Sequence, residues 1–89
     1  MSLYPVDKVC FRLVHDPELR AALDADPEAT LRAARPPLTQ EQIRAFAAGD
    51  VGTLSRMGAN HFLLHQLGRF ELLGLTLPIY AERIRAAYA

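Results

Sequence analysis

Signals that start and stop helices recur so closely along this chain that no long element can form. Asp16-Pro17-Glu18 and Asp26-Pro27-Glu28 each supply a capping carboxylate, a Pro at the first helical position where its missing N–H costs nothing, and an acid beside the positive helix end. Arg35-Pro36-Pro37 interrupts the chain again, because the residue before a Pro avoids the helical region. Gly49-Asp50 joins a stop to a start, and Pro78 opens the last segment. The segments between these marks are built from helix formers, with 14 Leu and 14 Ala against three Ile and four Val. The expectation is an all-α fold, a small orthogonal multi-helix domain of about five to six helices. The 89 residues suffice for one domain over residues 1–89 and leave no material for a second core.

Periodicity assigns an inner face to each segment. Val6, Val9, Cys10, Leu13 and Val14 form the stripe of a first helix over 5–14, and Leu19, Leu23 and Leu31 turn inward from two short helices after it. Thr39 and Gln42 are spaced as a capping box, with Leu38 and Ile43 placed as the hydrophobic staple across it. From Val51 onward one long helix is expected, ending at Gly68 or running through Leu73 to Gly74. On it Val51, Leu54, Met57, Gly58, His61, Phe62, Leu64 and His65 project to one broad face, which sets two histidines in an apolar stripe. Leu63 and Leu67 fall on the other side, so this helix should be covered all round, by the domain itself or by a partner. Leu77, Tyr80, Ala81, Ile84 and Tyr88 give the last helix its stripe.

Charge narrows the function classes. Ten basic and ten acidic side chains balance, whereas binding driven by phosphate neutralisation needs clustered positive charge. The short turn before Val51 permits a helix-turn-helix reading, but the second helix offers outward mainly Thr53, Arg56 and Asn60, so nucleic acid is a disfavoured partner. No apolar run approaches the length of a membrane span. A single Cys cannot make an internal disulfide, and no charged-then-apolar leader opens the sequence, so a cytoplasmic location is expected.

His61 and His65 stand four apart, the spacing that lets two imidazoles share a metal. Phe62 occupies the place where a HExxH site has its Glu, and no carboxylate or Cys nearby in sequence makes an obvious third ligand. Packing with a hydrogen-bond partner, contact with a ligand and metal binding are the three uses open to the pair. Gly58 inside a helix costs about 1 kcal/mol relative to Ala, which suggests that another helix or a ligand approaches the backbone there. His15 ends the first helix, where an imidazole suits the dipole, and Cys10 reads as a small apolar core residue. No nucleophile, phosphate or Cys-rich metal motif occurs in the chain.

The runs HDPELRAALDADPEATLRAA, LTQEQIRAFAAGD and VGTLSRMGANHFLLHQLG, in that order, resemble the LigA-like domain, the small α subunit of the protocatechuate 4,5-dioxygenase family of extradiol ring-cleavage enzymes. The resemblance covers roughly residues 8 to 70. Gly58-Ala59-Asn60 followed by Phe62-Leu63 is similar to the family's Gly-Gly-Asn followed by an aromatic-Leu pair, with Ala59 in place of the second Gly. The resemblance implies an all-helical subunit without catalytic residues or cofactor of its own, packed as a lid on a large subunit whose His and Glu side chains hold Fe(II). Gly58, Asn60, His61 and Phe62 are the partner or ligand contacts it implies, and His65, four residues after His61, is a fifth candidate contact. A second copy of the chain is the other partner expected, and a homodimer follows from the small core. The alternative reading is a free-standing module that docks a peptide or a modifying enzyme.

Overall fold

A computed structural model describes residues 2–89, and Met1 lies outside the described residues. The helices run α1 Tyr4–His15, α2 Pro17–Ala25, α3 Pro27–Arg32, α4 Gln40–Ala47, α5 Val51–Met57, α6 His61–Arg69 and α7 Leu77–Ala87, with a 3-10 turn at Leu72–Gly74. Among the described residues the secondary structure is entirely helical. The all-α class is as expected, with seven helices rather than five or six. No described helix is long and apolar enough to cross a membrane.

The punctuation acts as the sequence indicates. Asp16 Oδ1 accepts from the Leu19 N–H at 3.0 Å and Asp26 Oδ1 from Ala29 at 3.2 Å. Thr39 Oγ1 accepts from the Gln42 N–H while Gln42 Oε1 accepts from the Thr39 N–H, so both halves of the capping box form. Gly49, at φ 68°, ends α4, and Asp50 caps α5 through the Thr53 N–H at 3.1 Å. Thr76 caps α7. Each cap satisfies a backbone donor that a helix start would otherwise leave without a partner.

These short helices close on a core containing Leu13, Leu23, Phe46, Leu54, Leu64 and Leu67, all fully buried. The packing order is α1 on α2 and α6, α2 on α3, α3 on α4, α4 on α5, and α7 across α5 and α6. Arg20 Nη1 donates to the Leu13 carbonyl at 2.6 Å, and its guanidinium lies 4.3 Å from the centre of the Phe70 ring. One side chain thus ties the end of α1 to the segment that follows α6.

The long helix expected from Val51 is two helices. Gly58 adopts the left-handed conformation at φ 113°, its N–H donates to the Ser55 carbonyl, and the Ala59 N–H reaches back to the Leu54 carbonyl at 3.0 Å. This pair of bonds is the Schellman arrangement, which ends a helix. The single apolar face drawn through Val51 to His65 therefore does not exist, and His61 and His65 lie exposed on α6 rather than in an apolar stripe. Leu64 and Leu67 are fully buried and Leu63 half-buried, so the apolar second half belongs to the domain's own core, with Phe62 alone projecting outward. On α7 the expected stripe is likewise only partly inward, since Tyr80 is buried while Leu77 and Tyr88 are exposed.

The close backbone approach expected at Gly58 also falls elsewhere. A Cβ on Gly58 would meet nothing within 4 Å. On Gly68, by contrast, it would lie 3.1 Å from both the Thr76 carbonyl oxygen and Tyr80 Cβ, so this glycine sets the distance between α6 and α7. The sign of the Gly58→Ala effect separates the two readings. A helix-interior glycine would gain about 1 kcal/mol on conversion to Ala, whereas the left-handed geometry predicts a loss of about 1 kcal/mol or more with no steric clash. Gly68→Ala should lose about 1–3 kcal/mol by overpacking. Urea unfolding of the two variants against the parent measures both.

Candidate functional site

The break at Gly58 builds a junction in which side chains from α1, α5, α6 and α7 meet. Asn60 starts α6, its Oδ1 accepting from the Leu63 N–H at 3.2 Å, while its own N–H donates to Asp7 Oδ1 at 2.9 Å. Asp7, which the helical pattern turns outward, thereby pins α1 to the junction across 53 positions of sequence. Ala59 is buried between the two helices.

His61 begins α6, and its Nε2 is hydrogen-bonded to Ser55 Oγ on α5. Ser55 Oγ also bonds the Tyr88 hydroxyl at 2.7 Å. Ser55 is 5% exposed, and its hydroxyl can donate to one of these partners while accepting from the other, so a buried polar atom is satisfied twice. The Tyr80 hydroxyl donates to the His61 carbonyl at 3.2 Å, and the His65 ring meets Tyr80 edge-on with centroids 5.6 Å apart. Burial, and to a lesser degree the Cys10 thiol, holds the Tyr80 hydroxyl above its ordinary pKa, so it remains a donor near neutrality.

Gly58, Asn60, His61, Phe62 and His65 are each exposed, the first two at the break between α5 and α6 and the other three in the first turns of α6. Phe62 is 74% exposed, more than any other large apolar side chain among the described residues. The two histidines take separate partners, Ser55 for one and the Tyr80 ring for the other. The residues present do not fit an iron centre: among the described residues no three His, Cys, Asp or Glu side chains come together as ligands. Two surface grooves lie away from these residues. One separates α5 from α7 beside Arg56 and Arg83, and the other separates α1 from α2 and α3 beside Val9 and Leu19.

Ser55, Tyr88 and Asp7 are parts of the junction that sequence reasoning missed. Ser55 stands beside Arg56 in a segment without any nucleophile motif, and Tyr88 lies 33 residues away. The one local signal was Asn60 two residues after a glycine, a stop followed by a cap.

Over residues 6–83 the chain matches the family described as the aromatic-ring-opening dioxygenase LigAB, LigA subunit. The chain belongs to the LigA family. The match runs past residue 70, where the sequence resemblance stops, and takes in most of α7. Neither a curated protein nor a solved structure matches the chain. Within this LigA domain Gly58 and Asn60 lie in the break between α5 and α6, and His61, Phe62 and His65 lie in α6 itself.

Two outcomes test the junction. Ser55→Ala should lower stability by about 1 kcal/mol and speed amide exchange in the last turn of α7, where Tyr88 loses its tether. Cys10 is fully buried, and burial first, then the Asp7 charge, pushes its thiol pKa far up. A folded pKa raised above the unfolded value near 8.5 means that this site stabilises the fold below that pH and that the contribution declines as pH rises past it. Iodoacetamide at pH 8 should accordingly label Cys10 only after unfolding in urea.

Proposed function

We propose that this LigA domain is a non-catalytic subunit that packs on the large subunit of an extradiol-type ring-cleaving dioxygenase, with Gly58, Asn60, His61, Phe62 and His65 as its contact rim. The observation that carries this reading is the 74% exposure of Phe62 on a chain of the LigA family. Its ring stands among polar neighbours that are themselves exposed, while every adjacent Leu on α6 is wholly or partly covered. An exposed aromatic with a polar surround has the composition of an interface anchor and its rim.

In this reading Fe(II), which supplies the oxygen chemistry, belongs to the large subunit. The chain's own residues contribute surface and orientation. Asn60 and Gly58 fix where α6 begins, Ser55, itself bonded to the Tyr88 hydroxyl, holds the His61 ring by its Nε2, and Phe62 is left free to enter a pocket of the partner. His61 Nδ1 is then available to a polar group of the partner or its substrate, as donor or acceptor according to tautomer.

The test is reconstitution with a large extradiol subunit encoded beside this chain. Binding by calorimetry and catechol-dependent oxygen uptake should both need the two chains together. Phe62→Asp should weaken binding by tenfold or more, about 1.4 kcal/mol or greater, with thermal stability close to the parent because the side chain is already in solvent. His61→Gln should lower binding or turnover at near-parental stability. Stoichiometric iron with catechol turnover by the isolated chain would show the reading to be wrong. Preferential binding of a peptide-modifying enzyme at the same rim would replace the dioxygenase partner by the docking-module alternative.

A further inference from the structure

The segment between α6 and α7 holds a conformation that its residues resist. Glu71 sits at φ 54° and Leu73 at φ 58°, both left-handed, followed by Gly74 at φ 75°. Only glycine and, to a lesser degree, Asn or Asp enter this region without steric cost. Glu and Leu are also among the better helix formers, and Phe70-Glu71-Leu72-Leu73 continues the sequence pattern of α6. Local preference therefore favours a straight continuation of α6, whereas the observed fold demands a tight reversal.

What keeps the reversal closed is the fit of α7. The Gly68 backbone admits Thr76 and Tyr80 closely, Gly52 on α5 faces Ala87 at a spacing that leaves no room for a Cβ, and Arg83 Nη1 donates to the Gly49 carbonyl at 2.7 Å. Leu72 and Leu75 are buried, and a long bond of 3.5 Å from the Leu73 N–H to Asp24 Oδ1 ties the turn to α2. Every one of these contacts is made between α7 or its leading turn and the rest of the chain. Those of Thr76, Tyr80, Arg83 and Ala87 would be made equally well by α7 of another copy, whereas those of Leu72 and Leu73 belong to the turn itself.

We infer that the chain forms a dimer with a second copy of itself by exchanging α7, the Glu71–Leu73 hinge straightening so that each α7 docks in the groove of α5 and α6 on the other copy. Strained short hinges favour exchange, because the swapped form recreates the same contacts and discards the strain. Two hinges open per dimer, so each left-handed residue counts twice. The exchange is reciprocal and closes a two-fold assembly without leaving an open end. It leaves the Phe62 rim unoccupied, so it does not depend on the proposed dioxygenase partner.

The experiment compares the full chain with two hinge variants of opposite sign, by size-exclusion chromatography with light scattering after concentration and after refolding from the unfolding midpoint in urea. Glu71→Gly/Leu73→Gly accepts the reversal without strain and also disfavours a continuous helix, so it should weaken dimerisation by at least about a hundredfold. Gly74→Ala adds a left-handed Ala where a Cβ meets nothing within 4 Å, so its effect is conformational, and it should strengthen dimerisation by about tenfold or more. In a dimer mixed from isotope-labelled and unlabelled copies, filtered NOEs should connect Gly68 of one copy to Tyr80 of the other. A chain that stays monomeric even as Gly74→Ala, a dimer indifferent to the glycine pair, or a dimer whose Gly68–Tyr80 NOEs are all within one copy overturns the inference.

Discussion

Six of the seven helices begin on a side chain that accepts a hydrogen bond from the first turn: Asp16, Asp26, Thr39, Asp50, Asn60 and Thr76. The rest of the structure depends on these caps because the helices they open are only six to eleven residues long. Isolated helices of that length are not stable in water. Each cap offsets part of the cost of a helix start, and burial of one face supplies the remainder. In α1, which lacks such a cap, Val6, Val9, Cys10 and Leu13 are all buried and the Pro at its start meets the constraint differently.

How much of this was legible follows from where the information resides. The Asp-Pro-Glu starts, the Thr39–Gln42 box and the Gly49–Asp50 junction are local, a few residues decide each, and the sequence carries them intact. The break at Gly58 is local too, but a competing signal masked it. The apolar positions on either side, Leu54 and Met57 before and Leu64 after, happen to project to one face when counted as continuous helix. Hydrophobic period therefore outweighs the stop-and-cap pair Gly58 and Asn60 in the sequence, and the face it gives both histidines is not the one they occupy. The Ser55, His61 and Tyr88 contacts were beyond sequence reasoning for another reason: they are tertiary, and no spacing rule relates a helix-interior Ser to a Tyr near the chain's end.

The same comparison explains the two glycines. Gly58 and Gly68 both lie within an apparently helical stretch, and nothing in their immediate neighbours says which is a terminator and which a contact. Geometry separates them, since Gly58 has a positive φ and open space while Gly68 is helical and crowded. The family match spans residues 6–83 and so extends over most of α7. Packing alone gives Phe62 no role, because no element of the fold requires a phenyl ring in water at that position, and only the proposed subunit contact supplies one.

The bond from the Asn60 N–H to Asp7 joins positions 53 residues apart, and α1 as a whole rests on α6. The helices between them are layered mostly as sequence neighbours, each able to meet the next as soon as it is made. During synthesis α1 is made before α6 and finds its main support only when residues 61–69 have followed it. For that interval Val6, Val9 and Leu13 form an apolar stripe with α2 as their main cover, which is the kind of surface that chaperones hold. The first helix of the domain is accordingly secured late, once α6 has formed, with only α7 left to close over α5 and α6.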